Sequence, residues 1–370
     1  MAQTSMTTSD SLRKQQWEAE LFRDTMLGGF FSKFLGQGIS KLHKGFKVAP
    51  GTTYDLSSSN DVVQVKTNLM SKGKTKTRSG DKITFGLVPR IDADTNPGVV
   101  SGQTLEGKEV ALSWYDFSLE LERYRQAVSA AEPMSWHRAS FTIPEEARVA
   151  LLNWGTEKID LLCRDALDSS CTKFFYKTSS AVTSTTTEAT ATTALTAADS
   201  KLTPQMVSWI KAWALTGGAR SQIPLRPVMA GGKKAYVLLV HPDVMYDWKR
   251  DSEVLQATRE ARERGRDNPI FADADYIWDD VAIHEFEMVT NGTDAGAGSD
   301  VPYAKCHLLG AQSLCWAWGQ RPDIIDYTRD AQEEFYYAWR MTAAVGKPVF
   351  NSLDYGSVCV YVSRSNVAGS

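Results

Sequence analysis

From Lys82 to Pro89 the chain alternates apolar and polar residues, the period of a strand with one covered face. Asp92 to Gly102 is dense in Asp, Asn, Pro and Gly, the chemistry of turns. Beyond it, Tyr115, Phe117, Leu119 and Leu121 fall on every second residue and share one face of a second strand. Together they predict a long β-hairpin. Such a ribbon is marginal alone in water. It needs a surface to pack on, either the rest of this chain or another copy of it.

The helical period begins at Thr142-Ile143-Pro144-Glu145, a compact helix start in which Thr142 caps, Pro144 suits the first turn and Glu145 completes a capping box. Ala147, Leu151, Trp154, Leu161, Leu162 and Ala166 then follow helical spacing. They predict the longest helix of the chain, Ile143 to about Leu167, with Ala147, Leu151, Trp154 and Leu161 as its core and Trp154 buried on a sheet. Glu145 and Glu146 face solvent at its positive end.

Ahead of the hairpin, Met1 to Ser9 reads as a disordered tail. Leu12, Trp17, Leu21, Phe22 and Met26 give an irregular helical stripe that Gly28 and Gly29 end. Phe30 to Leu42 is a second amphipathic piece. Met26 to Leu42 has features of a membrane-surface segment, but its polar face is thin and its lysines are few. An arm that packs on its own fold or on a neighbour fits better. Val62, Val63 and Val65 open the hairpin region. The basic run Lys66, Lys72, Lys74, Lys76, Arg78 and Lys82 follows, with no interleaved aromatic to stack on bases. It reads as a solvated loop or as a contact with a neighbour's acids.

After the long helix, Ser179 to Ser200 is a low-complexity Ser/Thr/Ala stretch, read as a surface loop or a weak ribbon that buries no core and divides the chain. Thr203-Pro204 starts a helix to Thr216. Lys234 to Val240 is a buried strand, and Pro242 begins another helix. Glu253 to Arg264 is a charged, exposed helix. Val281 to Val289 alternates as a strand, and Asn291 to Ser299 is Gly- and Asp-rich and reads as mobile. Cys306–Trp318, Tyr336–Ala343 and Asp354–Ser363 are the last strands, the final one with Val358, Val360 and Val362 on one face.

Composition narrows the class. The chain has 370 residues, a formal net charge of -3 and 42% hydrophobic residues, ample for a core and for more than one lobe. Near-neutral charge argues against a dedicated nucleic-acid binder. Five cysteines, with no CxxC pair, fit reduced thiols. No stretch approaches a membrane span. The polar start carries no apolar signal segment.

The runs GDKITFGLVPR (Gly80 to Arg90), TLEGKE (Thr104 to Glu109), HPDVMYDWKRD and RGRDNPIF resemble the major capsid proteins of short-tailed phages that carry a giant virion RNA polymerase. The resemblance covers the chain from about Lys44 onward and rests on packing and turn signatures. It implies an α+β, Hong Kong 97-type capsid fold: an N-terminal arm at 1–45, an extended β-hairpin loop at 46–134, a peripheral domain with its spine helix at 135–178, a mixed α/β axial domain at 179–330, and strands at 331–370 that return to the peripheral domain. It further implies self-assembly into hexamers and pentamers of an icosahedral shell made in the host cytoplasm. That shell would hold double-stranded DNA without specific contact, with portal, scaffold and decoration proteins as further partners. No cofactor, catalysis or membrane partner is expected. Lys72, Lys74, Lys76, Arg78, Glu106, Glu109, Glu145 and Glu146 are then candidates for contacts between subunits. Some relatives crosslink a loop Lys to a neighbour's Asn. Here Lys72, Lys74 or Lys76 with Asn351 or Asn366 would serve, but no motif identifies them.

Candidate chemistry is sparse. His284, Glu285, Glu287 and His307 are metal-ligand types, but His284 and Glu285 are strand neighbours and point to opposite faces. Asp273, Asp275, Asp279 and Asp280 lack calcium-loop spacing. Gly231-Gly232-Lys233-Lys234 lacks the pattern of a phosphate loop, and no GxSxG is present. Two other readings stay open: a shell of the same fold that encloses enzymes, and a soluble metal-dependent enzyme built around His284 and His307.

Overall fold

The computed structural model describes residues 29–31, 63–65, 82–87, 98–110, 115–129, 143–216, 225, 227–230, 233–263, 276–311, 313–329, 334–350, 352–354 and 356–365. The N-terminal stripes and the basic residues Lys72, Lys74, Lys76 and Arg78 lie outside the described residues.

Among the described residues the strands form two main sheets. The first has four strands, in the order β1 (Val63–Val65), β13 (Cys315–Arg329), β14 (Glu334–Gly346) and β4 (Glu122–Ser129). The second has nine. Its path runs β6 (Val182–Thr185), β5 (Phe174–Lys177), β17 (Ser357–Ser363), β12 (Val301–Leu309), β8 (Lys233–Val240), β10 (Val281–Glu285) and β9 (Tyr276–Trp278). Off that path, β11 (Asn291–Ala295) pairs with β12 and β7 (Val228–Ala230) with β8. Two two-stranded ribbons complete the set: β2 (Lys82–Leu87) with β3 (Tyr115–Glu120), and β15 (Val349–Phe350) with β16 (Leu353–Asp354).

The long helix α1 spans Ile143–Asp168, with Glu145 and Glu146 in its first turn. Its buried apolar positions are Ala147, Leu151, Gly155, Ile159, Cys163 and Leu167, in steps of four, and Asp160 is buried beside Ile159. Each such step advances the contact line by about 40° around a helix of 3.6 residues per turn. The line therefore winds as α1 passes from one sheet to the other. Ala147 and Leu151 are core residues. Trp154 is half-buried, its ring edge-on to Trp339 at 5.2 Å between centroids. Leu161 corrects the expectation: it is only partly buried and lies outside the core, because by that turn the contact line has wound around to Ile159 and Cys163.

The β2–β3 ladder runs from Lys82 opposite Glu120 to Leu87 opposite Tyr115. Its covered face packs on this chain: Leu119, with Phe117 and Leu121, joins Cys315, Ala317 and Ala344 in one apolar cluster. The connection between the strands is therefore 88–114. The basic run precedes Lys82 in sequence, and its residues from Lys66 to Arg78 lie outside the described residues.

The nine-stranded sheet gathers most of the core. Every residue of β17 is buried. Val358, Val360 and Val362 enter the main core, whereas Cys359 and Tyr361 enter a second cluster on the other face with Phe174, Ala191 and Leu195. Three further expectations change. The low-complexity stretch does form a ribbon, β6 pairing with β5 at the sheet edge, but it also reaches the core: helix α2 (Glu188–Thr193) buries Ala191. Asn291 to Ser299 contains β11, with Ala295 buried. Cys306–Trp318 is not one strand but the end of β12 and the start of β13, and these belong to different sheets. Strand pairing thus groups β13 and β14 beside α1, while the last strand runs in the middle of the larger sheet.

Helix α3 (Pro204–Thr216) buries Met206, Val207, Ile210 and Ala214, while Trp209 and Trp213 meet Phe175 edge-on. Helix α4 (Pro242–Arg250) follows β8 directly and is capped by His241, and helix α5 (Ser252–Glu263) follows it. No described helix is long and apolar enough to cross a membrane.

Candidate functional site

Two features stand apart from ordinary packing. The first is the exposed connection of the hairpin. Val100, Leu105 and Val110 leave 72%, 61% and 47% of their surface open. Around them the backbone is held locally: Gln103 N–H donates to the Val100 carbonyl at 3.1 Å and Lys108 N–H to that of Leu105 at 3.0 Å. Glu109 accepts from Gly107 N–H at 2.8 Å. Glu106 and Glu109 are exposed here, and Glu145 and Glu146 are exposed at the start of α1. Of the eight charged contact candidates, the four acids are thus placed on the surface in two groups.

The second feature is a polar junction where α1 ends against the larger sheet. His307 Nε2 lies 2.7 Å from Asp168 Oδ1, and Thr290 Oγ1 donates to the other oxygen of that carboxylate. Burial alone would raise the Asp168 pKa, but bonds from His307 and Thr290 and the charge of Lys305 hold it below its usual range. Burial lowers the His307 pKa, with Asp168 opposing. The pair is therefore carboxylate and neutral imidazole, with the proton on Nε2 because a carboxylate only accepts. Lys305 Nζ reaches Glu188 at 3.0 Å and the Asp168 carbonyl at 3.3 Å. Lys347 and Asp354 form an ion pair of 3.3 Å, their side chains 2% and 1% exposed. Burial lowers the Lys347 pKa, with Asp354 pulling it back up.

Cys171 and Cys359 meet at this junction as a disulfide, which corrects the expectation of five reduced thiols. They are 188 residues apart, so neither spacing nor count pointed to them. Cys163, Cys306 and Cys315 are free and buried. Burial pushes the thiols of Cys306 and Cys315 up to about 12.

The His284 and His307 grouping does not form a site. Both residues register with Leu239, one from each side of β8. Two strand spacings, about 10 Å, separate them. Glu285 instead pairs with Lys249 at 3.6 Å. His307 turns out to be the histidine of the junction, and its partners come from elements no sequence pattern linked to it.

Residues 5–347 match the family model described as phage capsid protein. The chain belongs to the phage capsid protein family. The major capsid protein of Pseudomonas phage KPP25 is 24% identical over 393 residues, an alignment covering 95% of each chain. Solved capsids share the fold of this capsid protein. The cyanophage Pam1 subunit has a TM-score of 0.65 at 22% identity, over 78% of this chain and 86% of that one. For the Ralstonia phage GP4 capsid the TM-score is 0.62 at 22% identity, over 78% and 85%. The head of Helicobacter pylori bacteriophage KHP40 reaches 0.57 at 12% identity, over 76% and 85%. The capsid protein is thus a structural component of a phage shell.

Proposed function

We propose that this capsid protein is the major shell subunit, self-assembling into hexamers and pentamers of an icosahedral particle around double-stranded DNA. The layout proposed is of the Hong Kong 97 type. Residues 1–45 serve as the arm, 46–134 carry the extended hairpin, 135–178 contain the spine helix α1, 179–330 make up most of the axial lobe, and 331–370 return. The particle is made in the host cytoplasm and carries portal, scaffold or decoration partners. It performs no catalysis.

The observation that carries this reading is the hairpin connection. Its base is packed on this chain through Leu119, yet Val100, Leu105 and Val110 protrude uncovered. Several large apolar groups exposed together mark an interaction surface, and a neighbouring copy is the occupant a shell supplies. Obligate contacts of this kind bury on the order of 2,000–5,000 Å². Exposed Val149 of α1, beside Glu145 and Glu146, adds a second apolar point on the outer face. Lys72, Lys74, Lys76 and Arg78 are proposed to meet such acids across subunits, each exposed pair contributing about 0.2–1 kcal/mol.

The test is negative-stain microscopy and sedimentation of the full-length chain expressed alone and with its neighbouring head genes. Closed particles of uniform size are expected. A small, discrete oligomer under every condition would refute the reading.

A further inference from the structure

Three side chains from three places converge where α1 meets the larger sheet. Cys171 follows the helix, His307 lies in β12 and Cys359 in β17. One donor atom from each, two sulfurs and an imidazole nitrogen, lies within 4.8 Å of the others. His307 and Cys359 are register partners across the β12–β17 ladder, so the sheet itself holds two of the three in place.

The hydrogen bonds decide what the histidine offers. Nε2 donates to Asp168 Oδ1 at 2.7 Å, which leaves the Nδ1 lone pair aimed at Cys359 Sγ, 3.7 Å away. A disulfide sulfur has no proton to give. With the disulfide closed, a buried acceptor therefore faces a group that cannot satisfy it, a costly arrangement. With the bond open, the same lone pair meets a thiol or a cation. On the far side, Lys347 Nζ lies 3.5 Å from Cys171 Sγ, and a nearby ammonium favours the thiolate. A carboxylate behind a histidine whose other nitrogen faces the donor set is how ligating histidines are oriented. Sulfur and imidazole donors together suit zinc.

We propose that, in the dithiol form, Cys171 Sγ, Cys359 Sγ and His307 Nδ1 bind a zinc ion, with Asp168 orienting the ring. The two thiolates balance the charge of the ion. Three protein ligands leave one tetrahedral position for water, and partly buried Cys171 is the side from which water arrives. Opening the disulfide takes two electrons and two protons from a small thiol reductant, which leaves as its own disulfide. Zinc then displaces the two thiol protons. The ion ties the end of α1 to the middle of the larger sheet under reducing conditions, as the disulfide does under oxidising ones.

The full-length chain, purified with a phosphine reductant and without chelator, should carry about one zinc per chain, the stoichiometry of a single site. Cobalt(II) in its place should give thiolate charge-transfer absorption and tetrahedral ligand-field bands, both lost on adding zinc. Cys359→Ser and His307→Ala should abolish these bands, while Cys163→Ser keeps them. Asp168→Asn, which removes no ligand, should weaken zinc affinity about 10–100-fold. Zinc without a cobalt–thiolate band, or retained equally by His307→Ala, is an adventitious ion only and overturns the proposal. If the variants do not fold, the reduced wild-type chain decides. Alkylation of Cys171 and Cys359 at the same rate with and without zinc overturns it, and protection of both by zinc supports it.

Discussion

The indole of Trp339 in β14 rests on the backbone of Gly155 in α1: a Cβ added at Gly155 would stand 2.7 Å from Trp339 Cε2. Trp339 is fully buried, so the ring has nowhere to retreat. A glycine inside a helix costs about 1 kcal/mol relative to alanine. Here it lets the helix approach the sheet closely enough for Trp154 and Trp339 to pack edge to face. Gly155→Ala should therefore lower stability by about 1–3 kcal/mol through overpacking, against the gain in helix propensity. Thermal denaturation measures this, and Trp339→Phe in the same chain should recover part of the loss. A raised melting temperature for the single variant would show that the indole yields.

Asp160, buried in the middle of α1, accepts from the backbone N–H groups of Phe30 at 2.8 Å and Phe31 at 3.1 Å. Those two rings pack on Phe286, at 4.6 and 5.2 Å between centroids. The carboxylate is thus an anchor for a segment 129 residues away. Asp160→Ala strands two N–H donors and should cost about 1–3 kcal/mol. Limited proteolysis should then cut near Phe30 while the melt stays cooperative. An unchanged cleavage pattern would remove the anchor role.

His241 caps α4, its Nδ1 accepting from Asp243 N–H at 3.2 Å. Burial lowers its pKa from 6.5; Asp243 and Glu285 pull it upward and Arg364 pushes it down. The unfolded chain therefore takes the proton first as pH falls. The stabilisation is complete above about 6.5 and declines as pH drops toward the folded pKa. His241→Asn keeps a capping oxygen and should flatten this decline. Parallel melts of both chains across mildly acidic pH measure the difference, and equal slopes would count against it.

Val100, Leu105 and Val110 touch little of their own chain, so replacing all three with Ser should move the monomer melt by no more than about 0.5 kcal/mol. Shell formation, read by sedimentation, should be lost. Particles of normal size from the triple variant would show the connection to be a solvated loop.

Periodicity alone located α1, the β2–β3 ladder, α3, β8 and the strand at Val358–Val362, because each carries a local signal: a capped start, an alternation or an unbroken apolar run. The low-complexity stretch misled for a physical reason. Ala191 and Leu195 are buried by what folds over them, not by a pattern of their own. Leu161 misled because a straight helical stripe was read where the contact line winds between two sheets.

The sequence by itself determined the elements, the apolar faces they must cover and the resemblance to phage capsids, since propensity and period act over a few residues. Only the tertiary structure decided that β13 and β14 lie with α1 while β17 runs through the other sheet. It also placed Cys171, His307 and Cys359 within reach of one another. Strand pairing is set by which buried faces fit together across the whole chain. Residues 188 positions apart have no local term that announces their meeting.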